Sequence, residues 1–326
     1  MAALVELNDL CVTFETPAGP VRAVRGVTLH VDEGEILGVV GESGCGKSVT
    51  FRAMLGLNPA SSTVSGTASF DGESIETDGA MCAHASMIYQ NPGAALNPVF
   101  TIGQQLRLVA GTNDPDQLAK LLEDVGLPNP REALGAYPHE FSGGMRQRAV
   151  VAYALAQKPS LLIADEPTTA LDVTTQAQVL DLIKSLQVDQ GLSVVLISHD
   201  LGVIRRICDR VAVIYAGRVV EVGDTTDVLT NPAHPYTQAL LASIPRASHA
   251  GGELVSIDGS VPDGRTLVEG CSYAPRCPQA TEACLTATPP MVNVAGTGPV
   301  AEGGHGAACV LVDQHADRTE NSGTAT

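Results

Sequence analysis

Lys47 and Ser48 end the run GESGCGKS at Gly41–Ser48, which fits the spacing GxxxxGK followed by Ser or Thr. That spacing suits the holding of a nucleoside triphosphate. Gly41, Gly44 and Gly46 allow the main chain to curl, so that the N–H groups of Glu42, Ser43, Cys45 and their neighbours point at phosphate oxygens. A helix opening at this point, with Val49 in its first turn, adds its partial positive charge. Lys47 would neutralise the β- and γ-phosphates, and the Ser48 hydroxyl would ligate Mg²⁺.

A second set of groups lies at the end of the apolar run Leu161–Ala164. Asp165 and Glu166 follow it directly. A carboxylate at the C-terminal end of a buried strand faces the crevice where ligands bind in open α/β sheets. Asp165 reads as holding Mg²⁺ through water, and Glu166 as the general base that polarises the attacking water. His199 follows a third apolar run, Ser193–Ile197, and reads as a contact to the γ-phosphate.

These groups need elements to position them. Ile36, Leu37, Val39 and Val40 read as a buried strand entering the glycine loop. The segment Ser48–Leu57 carries Val49, Met54, Leu55 and Leu57 at helical spacing. Strand, loop and helix is the context that the phosphate-binding spacing requires. Strands then alternate with helices, which predicts a mostly parallel sheet. Residues 1–34 read as antiparallel strands with a turn at Thr16–Pro20. Between Phe100 and Tyr137 the pattern is helical, with Leu118, Leu121, Leu122 and Val125 on one face and Gly126 and Pro128 closing it. Leu180, Ile183 and Leu186 mark another amphipathic helix that ends near Gly191.

Two further runs stand between the loop and the carboxylates: QNP at Gln90–Pro92 and FSGGM at Phe141–Met145. With these in this order, the chain resembles the nucleotide-binding subunits of ABC transporters. Phe141–Met145 looks like the signature of that family, where Ser142, Gly143 and Gly144 offer a hydroxyl and close-approaching amides at a helix start running through Met145–Gln157. The resemblance implies that this element touches the γ-phosphate held by an opposite subunit, so that two chains enclose two ATP molecules. Met145 stands where many members have glutamine, a departure that removes a polar group. The resemblance also assigns Gln90 to sensing Mg²⁺ and coupling to membrane subunits. It assigns Thr169–Asp172 (TALD), with Asp172, to the link between the two sites, and Phe14 to stacking on adenine.

The subclass is legible in QNPGAALNP (Gln90–Pro98), FSGGMRQR (Phe141–Arg148), NPAHPYTQALLASIP (Asn231–Pro245) and GCSYAPRCPQATEAC (Gly270–Cys284). These resemble the ATPases of oligopeptide and dipeptide importers from about residue 4 to about residue 310. The implied fold is an α/β P-loop NTPase of the ABC type, with a mostly parallel core sheet, an antiparallel β subdomain and a helical subdomain at about 90–157. Residues 1–245 would form this domain. Residues 246–312 would form a small C-terminal extension with four cysteines, set off by Pro232, Pro235 and Pro245, and 313–326 a disordered tail. The implied partners are two membrane permease subunits, a second related ATPase subunit and an extracytoplasmic peptide-binding protein.

Composition limits the alternatives. The chain has 326 residues, 36 acidic against 19 basic, and a formal charge of −17. That balance opposes DNA or RNA, whose binding rests on neutralising phosphates with Lys and Arg. It also opposes direct adsorption to anionic lipid. No apolar run approaches the ~18–20 residues of a spanning helix, and no signal-peptide pattern opens the chain. The expected location is peripheral, docked on the cytoplasmic face of the membrane.

Eight cysteines are present. Cys45 lies inside the phosphate loop, where it is either a target whose alkylation blocks nucleotide or a small loop-filling residue. Cys271, Cys277, Cys284 and Cys309 follow the spacing C-x₅-C-x₆-C-x₂₄-C. A cytoplasmic setting disfavours disulfides. Four thiolates suit Zn²⁺, although structural zinc sites use closer C-x₂₋₄-C pairs, or a 4Fe–4S cluster. The resemblance favours the cluster, because some peptide-importer ATPases carry one in this region. Two other functions remain open at this level: the ATPase of an importer for nickel or another small solute, and a soluble ABC protein outside transport.

Overall fold

The computed structural model describes residues 3–75, 84–90, 92–169, 171–244, 257–266, 269–294, 300 and 303–312. Asn91 of the glutamine turn, Ala170 of the TALD run, Pro245 and the expected disordered tail lie outside the described residues. The chain divides into two compact units. One comprises Met1–Ala2, Asp32–Ile36 and Cys82–Ile197; the other comprises Ala3–Val31, Leu37–Met81 and Ser198–Thr326.

The unit containing Cys82–Ile197 is built on three parallel strands, Ala85–Ile88, Leu161–Asp165 and Ser193–Ile197. Every residue of the last two is buried, as continuous apolar runs in a parallel sheet covered on both faces should be. Four helices have legible starts. Thr101 and Gln104 form a reciprocal capping box for Ile102–Ala110. Asp114 caps Pro115–Asp124, whose proline occupies the first turn where no N–H is needed. Ser142 caps Gly143–Leu155, and Asp172 caps Val173–Gln190, which ends at a left-handed Gly191. Of the apolar face expected from Leu118, Leu121, Leu122 and Val125, Leu121 is half-buried and the other three are fully buried.

The other unit carries a four-stranded sheet in the order Val21–Asp32, Ala3–Phe14, Ser62–Phe70, Glu73–Ile75. Ala3–Phe14 and Ser62–Phe70 run antiparallel, from Val5 opposite Phe70 to Phe14 opposite Ser62. The turn between the first two strands is closed by Gly19 N donating to Thr16 O at 2.9 Å. In the same unit Leu37–Val40 runs parallel to Arg210–Val213. Arg210–Tyr215 turns back as Arg218–Asp224 through Ala216 and Gly217, both at positive φ, the conformation of a tight hairpin turn. The C-terminal extension continues this layer. Gly306–Ala307 pairs antiparallel with Arg218–Asp224, and Val292–Asn293 pairs with Gly306–Ala307.

Candidate functional site

Gly41–Ser48 joins the strand Ile36–Val40 to the helix Lys47–Met54. Sterics explain two of its glycines. A Cβ at Gly41 would meet Ile214 O at 2.2 Å, and one at Gly46 (φ +99°) would meet Ala23 O at 2.4 Å. The loop curls around its own lysine. Lys47 is 6% exposed, and its ammonium donates to Gly41 O at 2.7 Å and Glu42 O at 2.9 Å. Cys45 is fully buried, with its thiol pushed up by burial against the opposing pull of Lys47. It fills the loop from inside, as the loop-filling reading expects. Ser48 and Val49 are half-buried at the helix start, while Ser43 and Gly44 are exposed. Phe14, half-buried at the end of its strand, lies in this same unit.

Glu42, the loop's second residue, is held at three points. Its N–H donates to the Tyr236 hydroxyl at 2.8 Å. Its main-chain oxygen accepts from Lys47. Its carboxylate takes both terminal nitrogens of Arg276, at 2.8 and 3.1 Å. Tyr236 and Arg276 were not singled out in the sequence as site residues. Around them Tyr215, Tyr236 and Tyr273 meet with ring centroids 4.5–5.3 Å apart.

In the other unit Asp165 ends its strand 2% exposed. Glu166 follows at φ 49°, a conformation that non-glycine residues adopt mainly where surrounding structure enforces it. Its N–H donates to Ile197 O at 2.9 Å. One of its carboxylate oxygens accepts from Gln90 Nε2 at 2.8 Å and from Thr169 Oγ1 at 2.9 Å. Gln90 and Glu166 are therefore brought together. Ser142 is exposed at the head of a 13-residue helix, its hydroxyl accepting from Met145 N at 3.2 Å. The signature glycines lie against Leu171 of the TALD run and Thr175 of the helix after it. A Cβ at Gly144 would meet Thr175 Cγ2 at 2.6 Å, and one at Gly143 would lie 3.8 Å from Leu171. Asp172 accepts from Thr174 N and Thr175 N, each at 3.0 Å, and from Thr175 Oγ1; the Thr175 hydroxyl bond is the main cause that lowers its carboxyl pKa. His199, which belongs to the unit of the phosphate loop, is exposed.

The sequence of residues 24–169 matches the ABC transporter family, and residues 220–284 match the oligopeptide/dipeptide transporter C-terminal region. The dipeptide transport ATP-binding protein DppD of Bacillus subtilis is 42% identical over 100% of this chain and 99% of its own length. The oligopeptide transport ATP-binding protein OppD of Salmonella typhimurium is 44% identical over 88% of this chain and 89% of its own. This chain belongs to the ATP-binding subunits of the oligopeptide/dipeptide ABC transporter family. It is an ABC-type ATPase of the expected P-loop α/β fold. Among solved structures, the dimeric ATP-binding cassette MJ0796 bound to ADP and Pi superposes with TM-score 0.59 at 25% identity, covering 68% of this chain and 98% of that one.

The region that marks this ABC subfamily contains Cys271, Cys277 and Cys284, and Cys309 follows beyond it. Burial raises the thiols of Cys271, Cys277 and Cys309, with electrostatic coupling among Cys271, Cys277, Cys284 and Cys309 adding to the effect. All four are free thiols, and Cys271 N donates to Cys284 O at 2.7 Å. Among the described residues no three His, Cys, Asp or Glu side chains are grouped to hold a metal ion. Among the described residues no helix is long and apolar enough to cross a membrane.

Proposed function

We propose that this chain is the ATP-hydrolysing subunit of an importer for oligopeptides or dipeptides, seated on the cytoplasmic face of the membrane. One observation carries the reading: the segment matching the peptide-transporter C-terminal region grips the phosphate loop itself, through Arg276 on Glu42. Peptide-importer character and nucleotide binding then belong to one continuous structure. The names of the relatives, all dipeptide or oligopeptide transport proteins among those above, support the same cargo class.

In this reading the residues of Gly41–Val49 cradle the triphosphate, Lys47 neutralises its outer phosphates, and Phe14 stacks on adenine. Ser48 and Asp165, with Gln90 nearby, would hold Mg²⁺, which offsets the negative charge on the phosphates. Glu166 orients and deprotonates the attacking water, and His199 contacts the γ-phosphate. Ser142, Gly143, Gly144 and Met145 would complete the site of a second, related ATPase subunit, with Asp172 linking the two sites. The sequence carries one phosphate loop and one signature, so two chains are needed for two complete sites. Two permease subunits and an extracytoplasmic peptide-binding protein complete the assembly. Residues 1–245 form the nucleotide-binding domain and 246–312 its extension. Cys271, Cys277, Cys284 and Cys309 would hold a 4Fe–4S cluster, whose ligand sulfurs stand farther apart than those around one ion. Such a group would staple a segment with little core of its own.

A strain deleted for this gene, supplied with labelled di- and oligopeptides and with nickel, tests the cargo. Peptide uptake should fall and return with the wild-type gene but not with the Lys47→Ala variant. Restored nickel uptake with unchanged peptide uptake would overturn the reading.

A further inference from the structure

Arg276 stands next to Cys277 in the C-terminal extension, 234 residues from the loop it touches. Its side chain is only 6% exposed. A guanidinium has five N–H donors in a rigid planar fork. Each has an acceptor here. Two N–H groups reach the Glu42 carboxylate, one reaches the Tyr215 hydroxyl at 3.2 Å, one reaches Ile257 O at 3.2 Å, and Nε reaches Asp258 O at 2.7 Å. The cation also lies 5.8 Å from the Tyr215 ring centroid. Such complete saturation fixes the fork, and the fork fixes Glu42.

Glu42 is a demanding residue for this position. It places a carboxylate in a loop whose task is to attract a polyanion. Its main-chain oxygen is also one of two loop carbonyls that hold the Lys47 ammonium. Rotation of the Glu42 peptide would therefore move the acceptor that aims Lys47. Tyr236 restrains the N–H side of Glu42 and Arg276 restrains its side chain.

We propose that Arg276 is a positioning residue for ATP binding, holding Glu42 so that the loop aims Lys47 at the triphosphate and cancelling the Glu42 charge. This inference rests on Gly41–Ser48 being the triphosphate cradle. It gives the C-terminal extension a direct part in nucleotide affinity, in addition to whatever its cysteines hold.

The test is ATP titration of the full chain by calorimetry, with thermal unfolding of each variant recorded alongside. Arg276→Ala exposes the loop to an uncompensated carboxylate and should weaken ATP binding by about tenfold. Arg276→Lys keeps the charge but loses the paired geometry, and should fall between. Glu42→Gln removes the charge but keeps an oxygen that can accept from Arg276, so it should lose less ATP affinity than Arg276→Ala does. The combination Arg276→Ala with Glu42→Gln should recover most of the tenfold loss even where its melting temperature stays low. A purely structural arginine would not give that rescue. Wild-type affinity in Arg276→Ala, or a double variant as weak as the single, would overturn the proposal. Lys47→Ala separates the two layers of the argument. If it leaves ATP binding intact, the cradle assignment fails; if it abolishes binding while Arg276→Ala binds ATP with wild-type affinity, only the role of Arg276 fails.

Discussion

The side-chain amide of Gln90 donates to a carboxylate oxygen of Glu166 at 2.8 Å, and Thr169 donates to that same oxygen. The contact links the turn after the strand Ala85–Ile88 to the residue after the strand Leu161–Asp165. Parallel pairing of these strands, Ile88 opposite Ala164, brings the two residues together although 76 positions separate them. A carboxylate gripped this way is oriented before any water reaches it, which is what a general base requires.

Glu166→Gln keeps the shape and removes the basicity. Phosphate release should drop by roughly 10²–10⁴-fold, the usual contribution of a general base, while ATP affinity stays near wild type. The same variant should accumulate as a closed dimer with ATP. Turnover within a few-fold of wild type would remove Glu166 from this role.

The contrast between what the sequence disclosed and what it hid follows from contact range. Lys47, Asp165, Glu166 and Ser142 lie in short contiguous runs, where residue type and spacing already dictate a loop, a strand end or a helix cap. The caps at Ser142 and Asp172 are equally local, since each side chain reaches amides two or three residues ahead. Tyr236 and Arg276 meet Glu42 from 194 and 234 residues away, and no periodicity encodes such a contact. A faint signal existed: an acidic residue inside a phosphate loop calls for a cation, and few basic residues lie in the acidic extension. The cysteines show the converse limit. Their identity was plain from the sequence, but their mutual distances are set by tertiary folding of the extension.

Cys271→Ser and Cys284→Ser test the cluster assignment. Protein purified without oxygen should show a broad visible absorbance that each substitution removes, with iron and sulfide lost together. Colourless wild-type protein carrying stoichiometric zinc would refute the cluster.

Cys45 should resist labelling despite its place in the nucleotide loop. The thiolate is the reactive form, and burial both hides the sulfur and raises its pKa. Cys11 is half-buried by comparison. Maleimide labelling read by mass spectrometry should modify Cys45 at least about tenfold more slowly than Cys11 in folded protein, and equally fast in denaturant. Comparable rates in the native chain would show the loop to be open around its sulfur.

His234 gives the fold a pH dependence of definite sign. His234 is 1% exposed, its ring Nδ1 accepts from Tyr236 N at 3.0 Å, and its main-chain N–H donates to Glu221 Oε2 at 2.9 Å. Burial lowers its pKa from 6.5 to about 4, against the pull of the Glu221 carboxylate. Below pH 6.5 the unfolded chain takes up a proton that the folded chain refuses until about pH 4, so stability falls as pH drops through this window. The loss between pH 7 and 5 should be about 2 kcal/mol. His234→Asn retains a side-chain acceptor for the helix start but cannot titrate. Urea unfolding at the two pH values should show the variant losing about 2 kcal/mol less than the wild type. An equal loss in both would mean that the imidazole takes up its proton in the folded protein as easily as in the unfolded chain, and that the buried turn at Ala233–Tyr236 yields to admit it.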